Sequence, residues 1–253
     1  MGLRALRRRR QAPVGSIPLP RNAMTLTCNI CGGKTFETFG YLPRADALCR
    51  GCGSLERHRA LHHLLRERGK LDPALRGSER CLQLAPEKVT HDALMAAYGS
   101  GYTASDLAPQ RYRHAQCLRL KLPDDFQKLP DGYFHLIVHN HVLEHIPGPF
   151  REHIDAFARI LAKGGVMAFT IPDQAIMDGM ATSVEGGELL ADDQARLTAH
   201  GQEDHYKTLG LDLIEHLRSS FSSVECLADR RDSANQALVA DHNAWGIVFW
   251  CRR

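Results

Sequence analysis

Residues 129–146, LPDGYFHLIVHNHVLEHI, decide how this chain is read. Within them, 134–139 is an apolar run of strand length, and the polar pair Asn140-His141 follows it directly. Towards the C-terminus, 149–161 has helical spacing with Phe150, Ile154, Phe157 and Leu161 on one face. Gly164-Gly165 stops that helix, and 166–171 is the next strand. Towards the N-terminus, 81–85, 102–106 and 115–120 read as strands and 89–98 as a helix. A helix over 209–219 and two strands, around 223–228 and 245–250 with a polar loop between them, complete the pattern. Strands alternating with helices in this way predict a parallel sheet covered on both faces, and such open sheets bind ligands at the carboxyl ends of their strands. Ala85-Pro86-Glu87 follows the first strand, Asp106 ends the second and Asn140-His141 follows the fourth, so the informative residues share one edge.

A ribose-binding fold uses an acid at the end of its second strand to accept hydrogen bonds from sugar hydroxyls. Asp106 lies 19 residues after Glu87, near the spacing of about 20 that this geometry gives. An Asp before Leu107-Ala108-Pro109 is also what a tight turn uses, and spacing alone leaves both readings open.

Composition excludes several classes: 43% apolar and 24% charged residues over 253 positions are neither collagen-like nor low-complexity. The longest apolar run, 244–251, falls far short of the roughly 20 residues of a membrane-spanning helix. Residues 1–23 carry six arginines and no acid, while the whole chain has a net charge of +3, so the other 230 residues sum to −3. Overall basicity therefore gives no argument for nucleic-acid binding. The 1–23 segment reads as a disordered basic tail, or as sequence ahead of a start at Met24. No apolar stretch of a secretory signal follows its arginines. Eight cysteines without such a signal point to a reducing compartment, by default the cytoplasm.

Cys28-x-x-Cys31 and Cys49-x-x-Cys52 are separated by 17 residues, and glycine follows the second cysteine of each pair. This is the pattern of a four-cysteine zinc ribbon: each pair reaches one ion, the glycine permits the tight turn beneath the sulfurs, and the closed shell makes the ion structural. The alternating 35–39 segment suits a short strand between the knuckles, and Ser54 is placed to cap a helix over 55–68. For Arg57, His58 and Arg59 the residues themselves suggest only a solvated helix face.

The order of elements from residue 79 onward, with the 129–146 run and the later helix, Gly-Gly and strand, resembles the class I S-adenosylmethionine (SAM) dependent methyltransferases. That resemblance implies a Rossmann-like, seven-stranded α/β sheet with a final antiparallel strand. The cysteine-rich front with Cys-Gly-Ser-x-Glu-Arg-His-Arg over 52–59, and Gly-Gln-Glu-Asp-His over 201–205, are similar to a poorly characterised bacterial subgroup. The resemblance divides the chain into the tail at 1–23, a zinc ribbon with its following helix at 24–70, and a SAM-dependent methyltransferase domain at 71–253. It implies that Asp106, with Leu107 beside it, binds the SAM ribose. Leu84, Ala85, Pro86 and Glu87 would occupy the methionine end, and Asn140 and His141 would line the cofactor and substrate edge. Charge complementarity lets Glu87 accept a bond from the SAM ammonium. Lys121 stands where an adenine-contacting acid is usual, with Asp124 and Asp125 as nearby substitutes. The loop Leu84-Ala85-Pro86-Glu87 departs from the glycine-rich form common in the fold, His135 replaces a usual Asp, and no proline precedes Gly164-Gly165.

Methyl transfer to oxygen or nitrogen needs alignment and a base. His205, with Asp204 adjacent, is the first candidate and His141 the second; 201–206 reads equally as a structural cap. His135, His139, His141 and His145 do not converge on strand alternation, so no second metal is expected from them. The long acidic segment 172–200 has the length of a lid. The 229–244 loop, with Arg230, Arg231, Asn235, His242 and Asn243, would face a polar substrate or be a solvated hairpin tip. These features favour a small polar or saccharide acceptor, with no membrane partner. The alternatives are an RNA methyltransferase gripping nucleic acid through Arg44, Arg50, Arg57, His58 and Arg59, and a non-catalytic interaction module. Acceptor atom and oligomeric state stay open.

Overall fold

The computed structural model describes residues 26–40 and 43–253; the arginine-rich segment 1–23 and Met24 lie outside the described residues. At the front, β1 (Phe36–Phe39) and β2 (Arg44–Cys49) pair antiparallel, and α1 (Glu56–Glu67) follows. Next come β3 (Cys81–Leu84), α2 (Lys88–Tyr98), β4 (Tyr102–Asp106), β5 (Cys117–Arg119), β6 (Phe134–Asn140), α3 (Phe150–Ile160) and β7 (Leu161–Thr170). The chain closes with α4 (Gln174–Met177), α5 (Asp193–His200), α6 (Asp212–Ser220), β8 (Ser223–Leu227), α7 (Gln236–His242) and β9 (Val248–Arg252).

The main sheet has seven strands in the order β5-β4-β3-β6-β7-β9-β8. The first five are parallel, and β9 lies antiparallel between β7 and β8. The chain moves outward from β3 through β4 to β5 and then returns to the other side of β3 as β6. The reversal opens a crevice at the carboxyl ends of β3 and β6, where sheets of this topology take ligands.

Being buried on both faces explains why β6 reads as a nearly unbroken apolar run. Alternate residues feed opposite layers: Ile137, Met167 and Phe249 meet Phe157 and Leu213 on one side, while Leu136, Val138, Ala168 and Trp250 meet Leu61, Leu65 and Leu94 on the other. Thus α1 shares the second core layer with the sheet, and apolar packing runs across residue 70.

Several boundaries differ from the sequence reading. The Leu161 backbone is already extended, so α3 ends there, and Gly164-Gly165 sit inside β7 beside a register shift rather than stopping the helix. A Cβ on Gly165 would lie 2.8 Å from the Ala162 carbonyl oxygen, which explains the glycine. Ser54 does not cap α1: Leu55 is the N-cap and its amide donates to His58 Nδ1 at 3.2 Å, while Ser54 Oγ turns to the sulfurs of Cys28 (3.4 Å) and Cys52 (3.2 Å). The polar loop before β9 contains α7, which its short apolar stretch did not announce.

Arg57, His58 and Arg59 are not a solvated face. Arg59 is fully buried and donates to the carbonyls of Ser54 (2.7 Å), Ala47 (2.9 Å) and Asn243 (2.9 Å), joining α1, β2 and the segment before β9. Asn243 Nδ2 returns a bond to the Asp46 carbonyl, and His242 meets the Thr27 carbonyl. This part of the 229–244 loop docks on the cysteine-bearing front instead of presenting these two residues to a substrate.

Candidate active site

The carboxyl ends of β3, β6 and β7 are tied together by side chains. Thr170 Oγ1 donates to Asn140 Oδ1 at 2.9 Å, which aims the Asn140 amide at Glu87 Oε2, 3.4 Å away. On the far side of Glu87, His58 Nε2 stands 3.4 Å from Oε1. Burial lowers the Arg57 pKa, opposed by the fields of Glu87 and Glu144. The Arg57-His58 pair thus reaches the crevice from α1, a placement that no spacing in the sequence disclosed.

At the carboxyl ends of β3 and β6, Ala85 and His141 hold left-handed backbone, at φ +48° and +49°. Such conformations cost energy and concentrate where a site dictates backbone direction. The Asp106 carboxylate, at the end of β4, accepts from the Ala108 amide at 2.7 Å and from the Tyr112 hydroxyl at 3.1 Å. The tight turn read from Leu107-Ala108-Pro109 is therefore present. Each oxygen keeps a lone pair, so the turn does not preclude a ligand. Leu107 beside it is exposed, Leu84 is buried in the core, and the Pro86 carbonyl is 2.8 Å from His114 Nε2. Asp124 lies apart, on the surface, in an ion pair of 2.6 Å with Lys121.

Beyond β6 and β7, a cavity of about 210 Å³ is lined by Glu144, His200, Gln202, His205, Lys207 and Thr208 among others. The 201–206 segment is seated there by the Tyr206 amide, which donates to the Glu144 carbonyl at 2.9 Å. Burial, then His145, brings the His205 pKa down to about 4 against the opposing charge of Asp204. Burial and the neighbouring Arg57 and His58 hold His141 well below the ordinary histidine value. Both rings are therefore neutral near pH 7. Asp204 turns to His145, whose Nδ1 donates to the Asp204 carbonyl at 2.9 Å and lies 3.5 Å from its carboxylate. Burial raises the Glu144 pKa to about 8 and lowers that of Lys207 to about 8.

The acidic 172–200 segment includes carboxylates that serve the fold. Glu185 accepts from the Phe150 amide at 2.6 Å and Glu188 from the Gly148 amide at 3.1 Å, so both complement the N-terminus of α3. Of the four histidines in the β6 region, His139 is packed between Phe157 and Phe169 and His135 accepts from the Arg80 amide. The set does not converge, as strand alternation predicts.

In the front module, the Sγ atoms of Cys28 and Cys52 are 3.7 Å apart and those of Cys31 and Cys49 3.6 Å, with all four within 4.8 Å of one another. Four sulfurs at ~2.3 Å from a tetrahedral ion would be separated by about 3.8 Å.

The methyltransferase-domain family matches residues 57–230, more than half of the chain. The chain belongs to that family. Its seven-stranded, mostly parallel sheet with antiparallel β9 is the fold that the sequence resemblance implies for such a domain. Among solved structures, this methyltransferase is similar to the CurJ carbon methyltransferase, at 14% identity and a TM-score of 0.48 over 77% of this chain and 54% of that one. It is also similar to a SAM dependent methyltransferase from Archaeoglobus fulgidus, at 13% identity and a TM-score of 0.47 over 78% and 96% of the two chains. A third, from Mesorhizobium loti, shares 18% identity at a TM-score of 0.43 over 74% and 97%. This methyltransferase thus spans about half the length of the first of these and nearly all of the other two. No curated protein matches it. The family match begins inside α1, at the Arg57 that reaches the crevice.

Proposed function

We propose that this methyltransferase acts on a small polar acceptor, such as a saccharide, bound in the cavity beyond β6 and β7, and that Cys28, Cys31, Cys49 and Cys52 hold one structural zinc. The cavity carries the first reading. At about 210 Å³ it lies below the ~300–1,000 Å³ usual for larger ligands, and within a largely apolar wall that includes Pro172, Ala175 and Leu209, the side chains of Glu144, His200, His205 and Lys207 offer hydroxyls polar partners. The sulfur separations of 3.6 and 3.7 Å support the second.

The residues at the strand ends fit the cofactor. Asp106 has spare lone pairs for the ribose hydroxyls, and exposed Leu107 offers an apolar flank to the base. The left-handed turn at Ala85 directs 84–87 past the methionine end, with Glu87 positioned by His58 and Asn140 to face an ammonium. Asp124, paired with Lys121, leaves the adenine contact to Leu107. SAM supplies, when bound, an electrophilic methyl carbon on a sulfonium. The chain aligns the acceptor and takes its proton: neutral His205 in the cavity wall is the first base and His141 the second, with Asp204 acting on His145. The 201–206 segment both closes the cavity and carries His205, so its cap and chemical roles coincide.

The nucleic-acid reading finds less support. Arg44 pairs with Glu56 at 3.0 Å, exposed Arg50 pairs with Glu37 at 2.5 Å, and Arg59 is buried, so acidic partners or burial take up three of the charges near the knuckles. Native mass spectrometry and calorimetric titration with S-adenosylhomocysteine test the proposal. One zinc per chain and one bound nucleoside are expected. Absence of nucleoside binding at millimolar concentration overturns the cofactor site, and a chain without zinc overturns the metal assignment.

A further inference from the structure

We propose that Glu144, His145 and His205 form a second metal site, distinct from the four cysteines, that takes one divalent transition cation. Their ligand atoms all lie within 4.8 Å of one another. The carboxylate points to the ligand: Glu144 is 1% exposed, and neither of its oxygens has a hydrogen-bond partner. An orphaned acid at that depth is costly unless a cation or a proton compensates it. The nearest basic groups do not bond it: His141 Nδ1 stands 3.6 Å from Oε1, outside hydrogen-bond distance. Arg57 Nε is itself without a partner, and Lys207 Nζ donates to the Ile146 carbonyl.

The histidines carry the second argument. A carbonyl only accepts, so the 2.9 Å contact from His145 Nδ1 to the Asp204 carbonyl fixes the proton on Nδ1 and leaves Nε2 with its lone pair. His205 is buried in the cavity wall beside it, and His145 keeps one ring nitrogen on a backbone carbonyl. Metal-ligating imidazoles are held in this way, with one ring nitrogen on a backbone or carboxylate group. The two rings meet edge to face with centroids 4.8 Å apart.

A shared ion at ~2.1 Å from each donor requires separations of roughly 3.0–3.5 Å. Rotation of the partly exposed His145 about its held Nδ1, with a shift of His205 on the 201–206 segment, would supply that contraction. Two imidazoles and one carboxylate leave coordination positions open, and Glu144 and His205 both line the cavity. With the ion bound, the His205 lone pair is taken up and His141 is left as the base; a hydroxyl-bearing acceptor would meet the open positions. That last point rests on the methyl-transfer reading above; the ion does not.

The test is a titration of the full chain, dialysed against a weak chelator until it carries one zinc, with Co²⁺, followed by calorimetry and visible absorption. One Co²⁺ per chain is expected, with the weak bands of nitrogen and oxygen ligands and no thiolate charge-transfer band. Binding should weaken by more than about 100-fold in both His145→Ala and His205→Ala, beyond what loss of a supporting partner costs. Circular dichroism of His145→Ala should match the parent, since that side chain is partly exposed. No bound cobalt, a thiolate band alone, or unchanged affinity in the two variants overturns the site. S-adenosylhomocysteine titrated into the same samples separates the two readings, because cobalt bound without nucleoside would remove the methyl-transfer assignment and leave the ion.

Discussion

Ala85 and Asp106 end neighbouring strands of the crevice, and each tests a different physical term. Ala85 holds φ at +48°, which costs a residue bearing a Cβ about 1–2 kcal/mol, partly offset in glycine by its larger loss of chain entropy. Ala85→Gly should therefore stabilise the fold by about 0.5–1 kcal/mol in urea unfolding, and a destabilised variant would show that the Ala85 methyl packs productively. Asp106→Ala removes the acceptor expected for two ribose hydroxyls. S-adenosylhomocysteine affinity should fall by about 2–3 kcal/mol, roughly 30- to 150-fold. Tyr112→Phe removes only the hydroxyl that donates to Asp106 at 3.1 Å, and serves as the control for loop disturbance.

Among the elements, α1 joins the cysteine-bearing front to the sheet. Its apolar side enters the second core layer, and Arg59 satisfies three carbonyls from three parts of the chain. Arg59→Met keeps much of the volume but leaves those carbonyls unpaired, so a loss of about 3 kcal/mol or more is expected in equilibrium unfolding. Cys49→Ser should release zinc and loosen β1 and β2, whose two strands have little core of their own. Limited proteolysis should then cut within the front before the sheet, whereas a Cys49→Ser chain that retains its zinc would contradict four-cysteine ligation.

For the whole molecule, buried histidines set the acid limit. His139 and His153 are brought down to about 3 and His62 to about 4, in each case mainly by burial. In the unfolded chain these groups titrate near 6.5. Their contribution is therefore fully present above that value and is lost as the pH falls towards their folded values, because the unfolded state takes up protons that the folded state refuses. Each costs at most about 1.4 kcal/mol per pH unit in that window. Urea unfolding at pH 7, 6 and 5 should show a progressive loss. His139→Phe, placed between Phe157 and Phe169 where both imidazole nitrogens lack partners, should reduce the slope by up to about 1.4 kcal/mol per pH unit. A slope unchanged by this substitution would mean that His139 does not carry the effect.

The sequence by itself determined the strands of the sheet and the gathering of the four cysteines, because strand periodicity and cysteine spacing are local properties of the chain. Residues 134–139, Asp106 and the two Cys-x-x-Cys pairs could be read this way. Contacts between distant segments were decided only by the tertiary structure. Charge and helical position suggest water around Arg57, His58 and Arg59, yet packing of α1 against the sheet turns them towards Glu87, Ala47 and Asn243. Adjacency in the chain paired Asp204 with His205, but the backbone between them directs Asp204 to His145 and brings His205 to Glu144. Burial and hydrogen-bond partnership depend on which surfaces meet, and one strand of letters records those surfaces without recording their meeting.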